Sequence, residues 1–403
     1  MVFMMLQKRW VIQFFLSIIF LVITVGLFNF IVDPYGLYRV VDVKGFNQQK
    51  EGVRTSIRYV KALEIALIKP KTIIMGSSRV HDGVNPNSIK LENYHPVYNY
   101  GFEMARIKEI KYYLQHAIKN SEVKNLIFGI DFFMFNKFER LNSTFDSEIV
   151  KKDVTFIDVY FKPLLSMSSV LNSYRSIKSS VAYPERREFL SNGYRPGKHV
   201  FYGLKDYGKL HNYTNWTFLS SKSSATLYYS KMATDEETFQ DFEEILKICK
   251  VNNINVKLYI SPAHANLDGE GLLAAGLYKE LEDWKRSISS ITSDFEVPLY
   301  DFSGYNLVTT EEVITPMNNY WDSSHFKEKI GDIILDRVLN VDNKHNFGVL
   351  ISPSNIESHL MQIRRDQKKY QASNVEVIKN LRGMFKDALS GLKQDKSMVQ
   401  GIF

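Results

Sequence analysis

Two short segments far apart in the chain carry residue types that together can break an ester. The first is Lys71-Thr72-Ile73-Ile74-Met75 followed by Gly76-Ser77-Ser78-Arg79. An apolar run that ends in glycine and serine reads as a buried strand entering a tight turn. It puts a hydroxyl at the carboxyl edge of a sheet, beside a helix N-terminus whose N–H groups suit an oxyanion. The same letters also spell an ordinary turn. The second segment is Trp321-Asp322-Ser323-Ser324-His325-Phe326. An aspartate three residues before a histidine, on a loop entering a helix, can orient the imidazole while its other nitrogen faces a serine from another strand end. The alternative is that Asp322 only caps the helix and His325 sits on its surface. Ser261-Pro262-Ala263-His264 closes a further apolar run, so His264 stands either as a substrate ligand at the same edge or as a loop histidine satisfied by a backbone carbonyl. Arg79 suits an anionic group or a pairing with Asp131. No set of His, Asp and Glu has metal-ligand spacing, and no metal or other cofactor is expected.

The elements that must position these residues alternate. Strand-like runs at 71–75, 97–100, 124–130, 255–260 and 298–302 are separated by helical spacing at Ile107, Ile110, Leu114, Ala117 and Ile118, and later at Phe239, Phe242, Leu246 and Cys249. A capping-box pattern at Thr234 and Glu237 opens the latter helix. Leu272 to Ile291 and Phe326 to Leu339 complete the helices. This alternation predicts a three-layer α/β domain with a mainly parallel sheet over 71–340. From about 136 to 231 the period fails, which marks an insertion with short helices around Val170 to Ile177. Residues 33–70 read as a linker, and 341–403 as a basic helical extension, helical at 354–370 and 374–389, that packs on the body or projects from it.

From Trp10 to Val32 there is no charged side chain. At about 1.5 Å per residue this run crosses a hydrocarbon core of about 30 Å, and it is too long for a cleaved signal peptide. Lys8 and Arg9 precede it, so residues 1–9 are expected in the cytoplasm, 10–32 as a single transmembrane anchor, and the bulk of the chain outside the plasma (inner) membrane, periplasmic or extracellular.

The 403 residues are 24% charged and 45% hydrophobic, a balance that excludes a disordered chain, and no repeat points to collagen or a coiled-coil rod. One cysteine, Cys249, excludes an intrachain disulfide framework. The net charge of +7 is concentrated: Lys151 to Lys231 holds 13 basic against 5 acidic residues and 15 aromatics, among them Tyr194, Tyr202, Tyr207, Tyr213, Trp216, Tyr228 and Tyr229. Basic residues among aromatics suit nucleic acid, but outside the cell they point to an acidic or bulky glycan, with a cationic surface near anionic lipid as the plainer reading.

An early strand followed by Gly-Ser-Ser and a late Asp-x-x-His before the last helix of an α/β domain resemble the SGNH (GDSL-type) hydrolase superfamily. With the membrane anchor, the chain looks most like the envelope branch that includes alginate O-acetylation and teichoic-acid D-alanylation proteins. The resemblance covers roughly 71–131 and 255–340 and implies a flavodoxin-type domain, with Ser78 as nucleophile, His325 as general base and Asp322 as the orienting carboxylate. It implies that Gly101, in Tyr98-Asn99-Tyr100-Gly101, offers an oxyanion N–H. Asn99, Arg79 and His264 are counted beside it as candidate oxyanion or substrate residues. Asp131 departs from the pattern, since the superfamily has asparagine there, and Ser77 replaces the usual aspartate. Asp131 would be held neutral, pair with Arg79 or orient a substrate hydroxyl. The expected function is a serine O-acyltransferase or acyl esterase acting on an envelope or exported polysaccharide, with a multi-span membrane acyltransferase as donor partner. The rival expectation is a catalytically silent scaffold that binds glycan.

Overall fold

The computed structural model describes residues 2–197, 231–313, 317–341 and 346–394. Tyr202, Tyr207, Tyr213, Trp216, Tyr228 and Tyr229, six of the aromatics expected to meet a glycan, lie outside the described residues.

Helix α1 (Val2–Val32) is one unbroken rod whose side chains from Lys8 to Thr24 stand exposed, and it is long and apolar enough to cross a membrane. Its end is knitted to the body. Asp33, in the left-handed region, accepts from the N–H groups of Leu37, Tyr38 and Arg39, and the buried Asn47 amide donates to Ile31 O and Val41 O. The expectation of a linker over 33–70 is therefore corrected. The segment contains α2 (Glu51–Thr55) and α3 (Ile57–Ile68), and Ala62, Leu63 and Ile65 are buried in the main core. The run Ile57, Val60, Leu63 and Ile65 is apolar enough to close the sheet's flank, which a linker would not do.

Strand β1 (Thr72–Met75) leads into α4 (Ser78–Gly83), then β2 (Val97–Asn99), α5 (Ile107–Asn120) and β3 (Asn125–Ile130). The insertion holds α6 (Lys162–Leu165) and α7 (Met167–Ala182), so the helix expected at 170–177 is present and longer. Then come α8 (Glu236–Val251), β4 (Asn255–Ile260), α9 (Tyr278–Asp294), β5 (Leu299–Asp301), α10 (Glu328–Val338), β6 (Val349–Ile351), α11 (Ile356–Ser373) and α12 (Val375–Gln394).

The sheet order is β2-β1-β3-β4-β5-β6, parallel except for β6. Alternate residues split between two cores, as the period of two in a strand requires. Ile73, Met75, Leu126, Phe128 and Leu258 face α3, α5, α8 and α9, whereas Ile74, Ile127 and Tyr259 face α4 and α10. Two local expectations move. The capping box of α8 is Asp235 with Thr238, one residue further on, because Asp235 accepts from Thr238 N at 3.0 Å. The helix expected over 272–291 is split, since Gly276 at φ +76° ends the short turn Leu272–Ala274 before α9 starts. The C-terminal extension packs on the body. Leu360, Ile363, Ile378, Leu381 and Phe385 are buried, and His359 Nε2 donates to the buried Asp301 at 2.9 Å.

Candidate active site

Ser78 stands at the first turn of α4, immediately after β1. The chain runs from β1 to β2 on one side and then returns to β3 on the other, so β1 borders the point where the order of connection reverses and a crevice opens at the strand ends. Gly76 makes the sharp turn. Its φ is +152°, and a Cβ there would lie 2.5 Å from Gly129 O. Ser77 caps α4, accepting from Arg79 N at 3.2 Å.

His325 arrives from a loop pinched by a bridge between Tyr320 and Phe326, with Trp321 N donating to His325 O at 2.8 Å. Ser78 Oγ lies 2.8 Å from His325 Nε2, and His325 Nδ1 lies 2.7 Å from Asp322 Oδ2. The two partners in the first contact are 247 positions apart in the chain. Asp322 does not cap α10, which begins at Glu328. Its Oδ1 accepts from Ser324 N at 2.7 Å and His325 N at 2.8 Å. A carboxylate on Nδ1 fixes the tautomer with Nδ1–H donating to Asp322, which leaves Nε2 to accept from Ser78. Burial opposes ionisation of Asp322, but the His325 charge and the hydrogen bonds it receives outweigh burial and hold its carboxyl below the usual range. Burial likewise opposes protonation of His325, yet Asp322 prevails and raises the imidazole above its ordinary value of 6.5. The structure thus brings Ser78, His325 and Asp322 into one hydrogen-bonded line.

The other sequence-predicted residues do not join that line. Asn99 is fully engaged in backbone work: its amide donates to Val80 O at 3.0 Å and Val84 O at 2.8 Å, and its Oδ1 accepts from Gly101 N at 3.0 Å. Gly101 therefore does not hold an oxyanion donor ready. It is glycine because a Cβ would press on the His81 backbone at 3.0 Å. Neither residue offers a free polar group to a substrate, where such a contact was expected. Each instead ties the β2 end to α4, and the buried Lys61 reinforces the tie by donating to Asn99 O and Gly101 O.

Arg79 and Asp131 pair, which selects one of the readings left open. Arg79 Nη1 donates to Asp131 Oδ1 at 2.6 Å and to Asp268 Oδ2 at 2.9 Å, and Arg79 Nε donates to Ser324 Oγ at 3.2 Å. Ser77 Oγ donates to Asp131 Oδ2 at 2.5 Å. Burial raises the Asp131 carboxyl in spite of Arg79 and Ser77, which pull the other way. This cluster braces the triad loop through Ser324.

His264 is a satisfied interior histidine, and the substrate-ligand expectation is withdrawn. It is fully buried, with Nε2 donating to Glu311 O at 2.7 Å and Nδ1 accepting from Asn266 N at 3.2 Å. Burial pushes its pKa down to about 4, so it stays neutral while an unfolded histidine would charge. The unfolded state then binds the extra proton between about pH 6.5 and 4, and stability falls as the pH drops through that window by about 3 kcal/mol for a shift of this size. Urea midpoints of the wild type and His264→Gln across this window should converge at the acid end.

Sequence reasoning missed Asp82 and Arg195. Arg195 forms a two-pronged pair with Asp82, both bonds at 2.8 Å, and also meets Glu103. Asp82 raises and Arg195 lowers the His325 pKa, so the pair acts electrostatically on the imidazole. The insertion reaches the site here. Asn99 N donates to Asn192 O at 2.9 Å, Arg195 N donates to His81 O at 3.2 Å, and Gly197 packs against the Trp321 indole. Arg195 sits in a stretch without periodicity, where nothing distinguishes a buried arginine from a surface one. Several other basic residues of the insertion are also paired, including Lys152 and Lys162 with Asp158 and Arg187 with Asp42.

Among the described residues no group of three or more His, Cys, Asp or Glu is arranged to hold a metal ion. No family model and no curated protein matches the chain, so the chemistry of the site is carried by its own geometry.

Proposed function

We propose that the chain is a membrane-anchored serine acyl esterase or O-acyltransferase of SGNH type, acting outside the cytoplasm on an envelope or exported polysaccharide. The observation that carries this reading is the line from Ser78 through His325 to Asp322 at 2.8 and 2.7 Å. A serine hydroxyl bonded to an imidazole that is itself held by a carboxylate is an activated nucleophile. Ser78 Oγ attacks the acyl carbonyl carbon while its proton passes to His325 Nε2. The tetrahedral intermediate collapses, the leaving oxygen takes that proton, and the acyl group stays on Ser78. Water or a sugar hydroxyl then gives its proton to His325 as it attacks the acyl carbon, and His325 returns that proton to Ser78 Oγ as it leaves. The strand order β2-β1-β3-β4-β5 supports a flavodoxin-type domain. Lys8 and Arg9 before α1 support an inner-membrane anchor with its N-terminus in the cytoplasm. The polysaccharide, the acetyl group and a multi-span acyl donor follow from the family resemblance alone.

Asn99 and Gly101 being engaged leaves the Ser78 N–H, which has no hydrogen-bond partner among the described residues, as a candidate backbone donor to a developing oxyanion. This shortage of donors favours the second reading, a glycan-binding scaffold without turnover. Incubating the full chain in detergent with a fluorophosphonate distinguishes the two. A mass adduct on Ser78 is expected for the enzyme, and an unlabelled Ser78 beside a labelled control hydrolase would support the scaffold.

The rate of acylation should rise with pH through a value above 6.5, because the base must be neutral and Asp322 raises its pKa. Asp322→Asn should lower the rate by about 10⁴-fold. It should also move the inflection to lower pH, since burial then acts on the imidazole with only the smaller Asp82 contribution raising it. A pH-rate profile of both forms checks this.

A further inference from the structure

Helix α7 is inside out for a protein in water. Its buried positions are Ser169, Asn172, Ser173, Ser176 and Ser180, all polar, whereas Met167, Leu171, Tyr174 and Val181 are exposed at helical spacing. The preceding turn Ile157–Phe161 and α6 continue the exposed apolar surface with Phe156, Phe161 and Leu165. A surface helix normally does the reverse, and a contiguous apolar face of this kind marks an interaction site.

The contacts of this hairpin with α1 say what covers it. A methyl at Gly26 would lie 3.4 Å from Leu165 Cδ2, so Leu165 packs at the level of Gly26. Asn29, buried within the apolar run of α1, donates to Leu164 O at 2.7 Å and accepts from Ser173 Oγ at 2.7 Å. Gly26 lies six positions before Val32, so Leu165 sits about 9 Å along the helix axis inside the end of α1. Whatever surrounds the last two turns of α1 also surrounds Leu165. The rings of Phe30, Tyr38, Tyr160 and Phe156 run in contact from α1 to the hairpin, with centroids 5.1, 5.7 and 4.5 Å apart. Aromatic rings collect in this way at the boundary between lipid tails and headgroups. Exposed Arg175 and Lys178 lie on the same hairpin, a charge pattern that suits anionic headgroups. The small serines of α7 let it approach α1 closely, as helices do in lipid.

We infer that residues 156–174 form a membrane seat, whose apolar face enters the lipid leaflet that α1 leaves at Val32 and fixes the height and tilt of the α/β domain above the bilayer. The inference rests on α1 being a true span. It adds a second, lateral contact with lipid that a single anchor would lack. A groove whose lining mixes Tyr35, Phe161 and Leu165 with Lys162, Ser166 and Ser168 opens beside the seat.

The test uses the full chain in nanodiscs of mixed neutral and anionic phospholipid. Single Leu171→Cys, Met167→Cys and Leu21→Cys variants are labelled with an environment-sensitive fluorophore. Cys249 stays in place because it is buried and its thiol is pushed up to about 12, so it takes no label. A fourth label at Lys279→Cys reports the solvent-exposed body. The expected result is blue-shifted emission at 167 and 171, quenched severalfold more by spin-labelled lipid than by aqueous iodide, with the reverse at 279. Lipid quenching at 21 but iodide quenching at 167 and 171 would overturn the seat and leave the span standing. Absence of lipid quenching at 21 would overturn both. Shielding of 167 and 171 from both quenchers would mean that a protein covers the face, which also overturns the seat.

Discussion

Ser78→Ala is expected to remove fluorophosphonate capture entirely and to lower kcat for a chromogenic acetyl ester by about 10⁴- to 10⁶-fold. Folding stability should hardly change. The hydroxyl is half-buried and its recorded partner is His325, so its loss removes one hydrogen bond of about 1 kcal/mol. That combination, a large loss of rate with a small loss of stability, is what separates a nucleophile from a structural serine. Ser77→Ala is the contrast. It removes the fully buried donor to Asp131, so its effect should appear first in stability. If Ser78→Ala keeps the turnover of the wild type, the assignment of the nucleophile fails.

Arg79→Met is expected to cost about 3–5 kcal/mol of stability, because removing one partner of a buried ion cluster leaves uncompensated charge behind. Asp131 is 1% exposed and would be left with Ser77 as its remaining side-chain donor, whereas Asp268 is less deeply buried and can reach solvent. The sign of the pH dependence follows. Burial already raises the Asp131 carboxyl, and without Arg79 it would rise further. A carboxyl whose folded pKa lies above its unfolded value favours the folded state below the unfolded pKa and loses that advantage as pH rises through the folded pKa. The deficit of Arg79→Met relative to the wild type should therefore grow from acid to alkaline pH in urea denaturation. Adding Asp131→Asn should recover part of it, since the stranded charge is then gone. Equal losses in the single and double variants would show that Asp131 is not the group Arg79 neutralises. Activity should fall as well, because Arg79 holds the triad loop through Ser324 Oγ.

The strand ends and the triad were legible because both are local signals. β1, β3 and β4 are apolar runs with sharp polar stops, and Asp322 and His325 stand at a spacing that closes on itself. The residues that went wrong depend on what lies across the fold. Asn99 and Gly101 are in place for an oxyanion pocket, yet Asn99 turns its amide onto Val80 and Val84, carbonyls 15 to 19 positions away. Nothing in the local letters reports that choice. His264 looks the same whether its nitrogens meet a substrate or Glu311 O, 47 positions on. The helices of 33–70 were hidden because they follow the long apolar run of α1 and begin at Glu51, past a coil rich in polar residues. β6 is three residues long and pairs antiparallel at the sheet edge, too short for a period to register.

The separation of Ser78 and His325 by 247 positions has a consequence for how the protein comes into being. Contacts between distant parts of a chain close late in folding, after the entropy of the intervening loop has been lost. On the proposed mechanism, Ser78 is made early in synthesis but has no base until Asp322 and His325 have emerged and their pinched loop has docked against α4. A nascent chain that already holds β1, β2 and β3 in register is thus chemically inert. The proposed reactivity would switch on only with near-complete assembly, so a half-made copy passing through the biosynthetic machinery would carry no armed serine.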